Sequence, residues 1–380
     1  MDLDGALRPF IANDRIPGIS YALIDAEGRY AEGALGLRSI ESGVAMTPDT
    51  VGWIASMTKL VTTTAAMQLV EQGRLSLESS VQDILPELPP RQVLAGFDAD
   101  KQPILRPVMA PITLHHLLTH TSGFSYDTWN KALFDYAKAH DIPRIGTCLL
   151  KALDLPMLAD PGKRWEYGIS TDYAGRMVER VSGKSLEQYF RDHIFDPLGL
   201  KDIGFLLRPD LRQRLAAMHH RQPDGSMQVM EHEVPQAPEF FMGGGGLYGT
   251  MPDYARFLGL FLQGGLGVLK PETIALMFSN RIGDIVANGF PAGASPSSGE
   301  RRYFPGRRWK WGYGVAVNPE PTEEGRAAYS GTWGGRSNCY FWVDRTRGIA
   351  GAAMAQVLPF PDPHMLDAFY AFERAVYFPA

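Results

Sequence analysis

The sequence predicts an α+β protein in which one antiparallel sheet, built from both ends of the chain, is flanked by helices and accompanied by an inserted helical domain. Strand-like patterns lie near both ends of the chain, at residues 18–24, 29–37, 311–317, 337–343 and 348–356. Between about residues 75 and 230 the pattern is mainly helical and is broken by proline-rich connections. Strands and helices therefore do not alternate, as they would in a doubly wound parallel sheet.

The individual elements follow from local patterns. The first two strands are expected to pair as a hairpin, because the connecting residues Asp25-Ala26-Glu27-Gly28 have the composition of a turn. Residues 56–72 carry apolar side chains at helical spacing, and this helix is expected to stop at Gly73. Further helices are expected at residues 113–120, 170–182, 252–263 and 365–376.

The same patterns predict two domains. Residues 1–75 and 240–380 are expected to form an α/β domain that contains the antiparallel sheet. Residues 76–239 are expected to form a mainly helical domain inserted into it. The active site is expected between these two domains.

Composition and charge exclude several classes of partner. The chain has 380 residues, of which 45% are hydrophobic, a net charge of -5 and a pI near 6.0. It therefore lacks a basic face for nucleic acid and a polybasic patch for a membrane. Arginine and aromatic residues are interleaved at 301–309, but the acidic balance favours a solvated loop over an RNA-binding segment. We expect neither nucleic acid nor membrane as a partner, and the oligomeric state stays open.

Cysteine and histidine usage argues against a metal site, and no cofactor is expected. Cys148 and Cys339 are the only cysteines, too few for a disulfide framework, and no H-E-x-x-H motif accompanies the nine histidines. The N-terminal residues lack the features of a signal peptide, and no apolar run reaches the ~18 residues of a membrane-spanning helix. A cytoplasmic location is therefore expected.

The segment W-I-A-S-M-T-K, residues 53–59, carries a candidate nucleophile. Positions i and i+3 of a helix share one face, so the amine of Lys59 can reach the hydroxyl of Ser56. Such an amine activates a hydroxyl only when it is neutral, and apolar neighbours would lower its pKa by desolvation. The alternative, equally weighted for this motif alone, is an ordinary capped helix with a surface lysine.

Two later stretches carry further candidates. Tyr167 stands in a loop just before a helix, where a phenolate held by Lys59 could act as a general base, although a packed aromatic residue is the commoner role. Gly334 and Gly335 follow Trp333 and let the backbone approach a bound group, with the Arg336 N–H aimed at an oxyanion. A tight turn with a β-bulge is the even alternative for that stretch.

The order and spacing of these stretches carry more information than any one of them. S-M-T-K at residues 56–59, Tyr167 about 110 residues later and W-G-G at residues 333–335 resemble the serine β-lactamase and penicillin-binding-protein superfamily. The stretches at residues 117–124 and 243–250 also resemble that superfamily. The closest resemblance is to the family VIII carboxylesterases, which share the class C β-lactamase fold. No G-x-S-x-G elbow of an α/β-hydrolase is present.

This resemblance implies a fold and a set of roles. The fold would be β-lactamase/transpeptidase-like. Ser56 would be the acylated nucleophile, and Lys59 with Tyr167 would form its proton-transfer pair. The backbone N–H groups of Ser56 and Arg336 would hold the oxyanion, and Tyr126 matches a pocket aromatic of the esterases.

Two departures from the lactamase pattern point towards neutral, apolar esters. Trp333 stands where β-lactamases keep a lysine that binds the substrate carboxylate, and it is expected, together with Gly334 and Gly335, to line the substrate pocket. Ile169 replaces the asparagine of the Y-x-N motif, which removes an amide that would hold a β-lactam side chain.

We therefore predict a metal-free serine carboxylesterase that hydrolyses short-chain esters through an acyl-enzyme on Ser56. The alternatives are acyl transfer to an alcohol, weak β-lactamase or DD-peptidase activity, and a non-catalytic binding protein of the same fold. His120 is expected to be structural because it ends a short helix. Asp172, in the first turn of the next helix, is also interpreted as structural.

Overall fold

A computed structural model describes residues 2–13, 15–88, 91–287 and 308–379. Its dominant element is one eight-stranded sheet, and both ends of the chain contribute strands to it. Most of the arginine- and aromatic-rich stretch, at residues 301–307, lies outside the described residues. In the part of the chain that is described, no helix has the length and apolar character needed to span a membrane.

The strands are numbered in chain order. They are β1 (Gly18–Asp25), β2 (Tyr30–Ser39), β3 (Val44–Ala45), β4 (Gly52–Trp53), β5 (Gln92–Phe97), β6 (Pro103–Pro107), β7 (Ile203–Gly204), β8 (Met218–Arg221), β9 (Met227–Met230), β10 (Tyr248–Gly249), β11 (Lys310–Trp311), β12 (Ala316–Val317), β13 (Gly331–Gly335), β14 (Cys339–Asp344), β15 (Ile349–Met354) and β16 (Val357–Leu358).

The α-helices are numbered in the same way. They are α1 (Leu3–Ala12), α2 (Thr58–Glu71), α3 (Val81–Ile84), α4 (Leu114–Leu118), α5 (Lys131–Ala139), α6 (Ser170–Ser182), α7 (Leu186–Phe190), α8 (Pro209–Gln213), α9 (Met251–Leu262), α10 (Pro271–Met277) and α11 (Pro363–Tyr377). Short 3-10 helices occur at Ala55–Met57, Ile145–Thr147 and Leu150–Leu153, and a π-helix at Arg191–Phe195.

The large sheet joins the two ends of the chain, as the sequence predicts. Its strand order is β11-β12-β13-β14-β15-β1-β2-β3, and all neighbours are antiparallel. The central strand β1 pairs on one side with β15 and on the other with β2, so that Ala22 lies opposite both Ala352 and Glu32. The expected hairpin of the first two strands is therefore present.

Helices cover both faces of this sheet. Successive strand residues point to opposite faces, and β14 shows the result clearly. The ring of Trp342 packs against Phe372 of α11, with centroids 5.1 Å apart. The neighbouring Phe341 packs against Tyr254 of α9, with centroids 5.6 Å apart. The sheet is thus the middle layer between α11 and α9.

Helix α2 lies in the core, although its sequence T-K-L-V-T-T-T contains many polar residues. Every residue from Thr58 to Leu69 is buried. The threonine hydroxyls are satisfied locally, since Thr63 Oγ1 donates to the Lys59 carbonyl at 2.8 Å and Thr62 Oγ1 donates to the Gly243 carbonyl at 2.7 Å. Buried polar groups with such partners are tolerated in a core. The helix therefore holds its first turn rigidly in place.

Two segments differ from the sequence prediction. The predicted strand 311–317 is interrupted, because residues 312–315 form a turn between β11 and β12 in which Gly314 adopts φ +78°. A Cβ atom at Gly314 would lie 2.6 Å from the Thr63 hydroxyl oxygen. The region predicted to be mainly helical also contains a hairpin of β5 and β6. Pro103 and Pro107 are the first and last residues of β6, whereas the sequence predicts only proline-rich connections between helices in this region. The division into two domains stays a prediction.

Candidate active site

Ser56 lies in a short turn, defined here as the nucleophile turn, that comprises residues 54–57 and leads into α2. Residues Ala55–Met57 form a 3-10 helix rather than the first turn of the α-helix that was predicted. Ala55 adopts φ +45°, a left-handed conformation that is costly for a residue with a side chain. The Thr58 hydroxyl donates to the Ala55 carbonyl at 2.6 Å and so supports the strained residue. The turn presents the half-buried Ser56 to the cavity described below.

Lys59 is positioned one turn after Ser56, as its spacing predicts. Its Nζ lies 3.3 Å from Ser56 Oγ, 3.0 Å from Tyr126 Oη and 2.6 Å from the Gly244 carbonyl oxygen. A neutral amine can donate to the carbonyl and still accept a proton from the serine hydroxyl, whereas an ammonium can only donate. The three contacts therefore suit a lysine that works as a base.

Burial supports the neutral form of this lysine. Lys59 is 1% exposed. Burial lowers its pKa from the usual 10.5 to about 7, and the negative charge of Asp172 opposes that shift. A substantial fraction of the lysine is therefore neutral near pH 7.

Asp172 is connected to Lys59 through one peptide group. The N–H of Gly244 donates to Asp172 Oδ1 at 2.8 Å, while the carbonyl of the same glycine accepts from Lys59 Nζ at 2.6 Å. The carboxylate is fully buried in the first turn of α6, and burial raises its pKa to about 6 against the opposing charge of Lys59. The sequence interpretation of Asp172 as merely structural missed this connection.

Tyr167 completes the group around Ser56. Its hydroxyl is hydrogen-bonded to the Ser56 side chain and accepts from the indole N–H of Trp333 at 2.9 Å. Lys59 Nζ lies 4.7 Å from the centre of its ring. Burial raises the pKa of Tyr167 well above 10, despite both hydrogen bonds, so this tyrosine is a neutral phenol. Burial therefore favours the phenol over the phenolate that the sequence suggested, and the role of Tyr167 as a general base stays a prediction.

Trp333 lies behind Tyr167 rather than on the wall of the cavity. Its ring centroid is 4.9 Å from that of Tyr167 and 4.6 Å from that of Trp311. This differs from the prediction that Trp333 lines the substrate pocket. Neither Trp333 nor Gly335 contributes to the cavity lining, whereas Gly334 and Tyr126 do. The indole of Trp333 thus contacts both the ring and the hydroxyl of Tyr167.

His120 belongs to the same aromatic cluster. Its ring centroid lies 4.8 Å from that of Tyr167 and 5.2 Å from that of Trp311. Burial, assisted by the charge of Lys59, lowers its pKa well below 6.5. The imidazole is therefore neutral and packed, in agreement with the structural role expected from the sequence.

Gly335 allows β13 to approach the nucleophile turn closely. A Cβ atom at this position would lie 2.4 Å from the Ile54 carbonyl oxygen and 3.1 Å from the Ala55 Cβ. These distances leave room only for glycine. The end of β13, and with it the backbone of Arg336, is thereby held against the turn that carries Ser56.

A cavity of about 150 Å³ opens beside Ser56. Its walls are mainly apolar, and comparable apolar cavities hold a benzene-sized group. The lining residues are Trp53, Ala55, Ser56, Tyr126, Thr128, Trp129, Ile145, Gly146, Tyr167, His232, Glu233, Val234, Met242, Gly244, Gly245, Gly334, Arg336 and Phe360. Many of these come from loops without a recognisable motif, so sequence reasoning did not find them.

The site brings an amine and a phenol within hydrogen-bonding reach of one serine hydroxyl. Across residues 2–13, 15–88, 91–287 and 308–379, no three His, Cys, Asp or Glu side chains converge as metal ligands would. A serine hydroxyl, a desolvated amine and a phenol lie beside an apolar cavity. These are the groups that nucleophilic catalysis on an acyl group requires.

Comparison with known proteins relates the chain to enzymes of one superfamily. A family model described as "Beta-lactamase" matches residues 3–375. Lovastatin esterase of Penicillium rubens is 33% identical, and the match covers 99% of this chain and 98% of that protein. Monacolin J acid methylbutanoyltransferase of Aspergillus terreus is also 33% identical, over 99% of this chain and 95% of its own length.

A solved structure supports the same relationship. A mutant of simvastatin synthase from Aspergillus terreus superposes with a TM-score of 0.85 at 31% identity, covering 99% of this chain and 96% of that one. The β-lactamase/transpeptidase-like fold predicted from the sequence is confirmed by this similarity.

Proposed function

The chain belongs to the beta-lactamase family and is an enzyme that acts on esters, and from that premise we propose that it hydrolyses short-chain carboxylic esters. The acyl-enzyme forms on Ser56. One observation carries the proposal: Lys59, with its pKa lowered to about 7, lies 3.3 Å from the Ser56 hydroxyl beside an apolar cavity of about 150 Å³.

Acylation begins with proton transfer from Ser56 to neutral Lys59. The serine oxygen attacks the ester carbonyl, and the carbonyl oxygen gains a negative charge. In the proposal, the backbone N–H groups of Ser56 and Arg336 stabilise that charge, since preorganised donors are worth most where charge develops. The close approach of β13 at Gly335 supports this assignment.

The Tyr167 phenol then transfers a proton to the departing alkoxide. Its hydrogen bond to Ser56 and its raised pKa support a role as a proton shuttle between Lys59 and the leaving group. Deacylation reverses the sequence, with water in place of the alcohol. Lys59 accepts the proton of that water and returns it to the Ser56 oxygen as the C–O bond of the acyl-enzyme breaks and the acid leaves.

The size and polarity of the cavity support small ester groups. Apolar walls stabilise a short acyl or alkyl chain by burial, at roughly 0.8 kcal/mol for each methylene group. Trp333 and Ile169 occupy positions where the lactamase pattern has a lysine and an asparagine, which argues against efficient β-lactam hydrolysis. A nitrocefin assay measures any residual activity of that kind.

Acyl transfer to an alcohol is a second candidate. It is favoured by the 33% identity to an acyltransferase, alongside the equal identity to an esterase. Both reactions use the same acyl-enzyme and differ in the group that attacks it. Adding a small alcohol during ester turnover distinguishes them, because transfer yields a new ester and lowers the yield of free acid.

The decisive test is the variant Ser56→Ala with a p-nitrophenyl butyrate-type ester. Turnover should fall by at least ~10³-fold, because nucleophile and oxyanion geometry act together, and intact-mass analysis should detect an acyl adduct only when Ser56 is present. Ser42→Ala, which changes an exposed turn residue, serves as the matched control and should retain full activity. Undiminished turnover by Ser56→Ala would refute the proposal.

A further inference from the structure

The run of four glycines that begins at Gly243 is explained by close packing at three of its four positions. A Cβ atom at Gly244 would lie 2.6 Å from Asp172 Oδ2, and one at Gly246 would lie 2.8 Å from the Phe205 ring. At Gly243 the nearest atoms would be 3.1 to 3.2 Å away, which is closer than an ordinary contact. A side chain at any of these three positions would displace its neighbours.

Gly245 is the exception in this run. A Cβ atom there would lie 3.5 Å from Met242 Cε and 3.8 Å from the Ala55 carbonyl carbon, and both are ordinary van der Waals distances. The φ angle of Gly245 lies outside the left-handed region that favours glycine. Neither packing nor backbone conformation therefore requires a glycine at this position.

The missing side chain leaves room in the cavity beside Ser56. Gly245 is buried, and it lines the cavity together with Met242 and Ala55, the two residues nearest to the absent Cβ atom. The position of that atom therefore lies in the cavity space between these three residues. This space adjoins the reacting centre, because the Ala55 carbonyl carbon belongs to the same peptide group as the Ser56 N–H, one of the proposed oxyanion donors.

The surface at Gly245 is apolar although it is formed by backbone. The Gly245 carbonyl accepts from the indole N–H of Trp53 at 2.7 Å, and the Gly245 N–H donates to the Met242 carbonyl at 3.0 Å. Each polar group of this glycine thus has a partner within the protein. A substrate meets the Cα methylene group of Gly245 next to Trp53 and Met242, which also line the cavity, and this surface suits a hydrocarbon chain.

Resting on the proposed function, we propose that Gly245 is a specificity-determining residue: the space of its absent side chain holds the acyl-chain carbons that follow the reacting carbonyl. The alcohol part of the ester is assigned to another side, because Tyr167 protonates the departing alkoxide in the proposed mechanism. Tyr167 is not among the nearest neighbours of the Cβ position. A side chain at residue 245 would therefore compete with the acyl chain for the same volume.

The test adds one methyl group at this place and varies the ester. The value of kcat/KM is measured for p-nitrophenyl acetate, butyrate and isobutyrate. Gly245→Ala should lower the butyrate-to-acetate ratio by roughly ten- to hundredfold, because one methylene group in an apolar pocket discriminates to that extent. The isobutyrate-to-acetate ratio should fall at least as far, since the branch of isobutyrate is directly beside the carbonyl. On the alcohol side, the ratio of butyl acetate to methyl acetate should stay unchanged.

A compensating variant distinguishes lost space from a general defect. Met242→Ala in the Gly245→Ala background removes the Cε atom that lies 3.5 Å from the added methyl group. It should restore most of the lost butyrate-to-acetate ratio, whereas a general defect of the Gly245→Ala variant would persist. Ser42→Thr adds a methyl group at an exposed turn. It is the matched control and should leave every ratio unchanged.

A binding measurement separates this inference from the proposed hydrolysis. In the Ser56→Ala background, calorimetry gives Kd for phenyl butyrate and phenyl acetate, and Gly245→Ala should weaken the binding of the butyrate only. If the wild-type enzyme hydrolyses no ester, the proposed function fails, and this binding difference still decides the role of Gly245. Ratios that Gly245→Ala leaves unchanged in both measurements, or a change confined to the alcohol series, would overturn the assignment.

Discussion

The variant Asp172→Asn tests whether the buried carboxylate of Asp172 sets the pH range in which Lys59 is neutral. Asparagine keeps the shape of the side chain and an oxygen that can accept the Gly244 N–H at 2.8 Å. It removes only the negative charge. Because that charge raises the pKa of Lys59, its loss should lower the lysine pKa further, and the enzyme should become active at lower pH.

The size of the effect follows from the geometry. Asp172 and Lys59 contact opposite ends of the Gly244 peptide group, at 2.8 and 2.6 Å. Charges on opposite sides of one peptide group are about 7 Å apart, and at an effective dielectric constant of ~20 they interact by roughly 2 kcal/mol. Since one pKa unit equals about 1.4 kcal/mol, the pKa of Lys59 should fall by roughly 1–2 units.

The assay is the pH dependence of kcat/KM for a neutral ester. In the wild-type enzyme the acidic limb should lie near pH 7, where Lys59 loses its proton. In Asp172→Asn it should lie between about pH 5 and 6, which raises kcat/KM at pH 6.5 by roughly three- to fourfold relative to the plateau.

The matched control is Asp135→Asn, which removes a carboxylate from an exposed ion pair with Lys131. It should leave the acidic limb in place. If Asp172→Asn leaves the limb at pH 7 or moves it upward, the coupling between Asp172 and Lys59 does not operate as described.

Three further outcomes are expected. Trp333→Phe keeps an aromatic side chain but removes the indole N–H that donates to the Tyr167 hydroxyl at 2.9 Å. We expect kcat to fall roughly three- to tenfold with little change in KM. An unchanged kcat would show that Tyr167 does not need this hydrogen bond. Gly335→Ala introduces a clash at 2.4 Å with the nucleophile turn, and labelling by a fluorophosphonate should be lost while circular dichroism still reports a folded protein. The inactive double variant Lys59→Met with Asp172→Asn removes two buried ionisable groups that contact opposite ends of the Gly244 peptide, and it should raise the free energy of unfolding in urea by ~1–4 kcal/mol. Between pH 7 and 10.5 the lysine is protonated in the unfolded chain but neutral in the folded site. The free energy of unfolding of the wild-type protein should therefore rise with pH over that range. The double variant should lose this pH dependence.

Ser56 and Lys59, to which we assign the chemistry, were predictable from the sequence because their spacing is local. Ser56 and Lys59 are three residues apart on one helical turn, and the helix that follows Tyr167 has the predicted bounds, Ser170–Ser182. The large sheet was also predictable, because its strands alternate or run continuously apolar near both ends of the chain.

Contacts between distant segments were not predictable in the same way. The Gly244 N–H reaches Asp172 across 72 residues, and no local pattern signals that pairing. The orientation of Trp333 depends on which face of β13 it occupies, and that strand, G-T-W-G-G, is too rich in glycine to be recognised as one. The sequence therefore predicts Trp333 in the pocket lining, whereas its indole packs against Tyr167.

The close approach of β13 to the nucleophile turn also makes activity a measure of completed folding. Cys339 Sγ donates to the Ile54 carbonyl across 285 residues, so the two halves of the site meet only after nearly the whole chain has been synthesised. Contacts of such large sequence separation form late and slowly. In a nascent or truncated chain Ser56 should therefore be unreactive. Titration of Ser56 with a covalent probe should then count the natively folded molecules in a preparation.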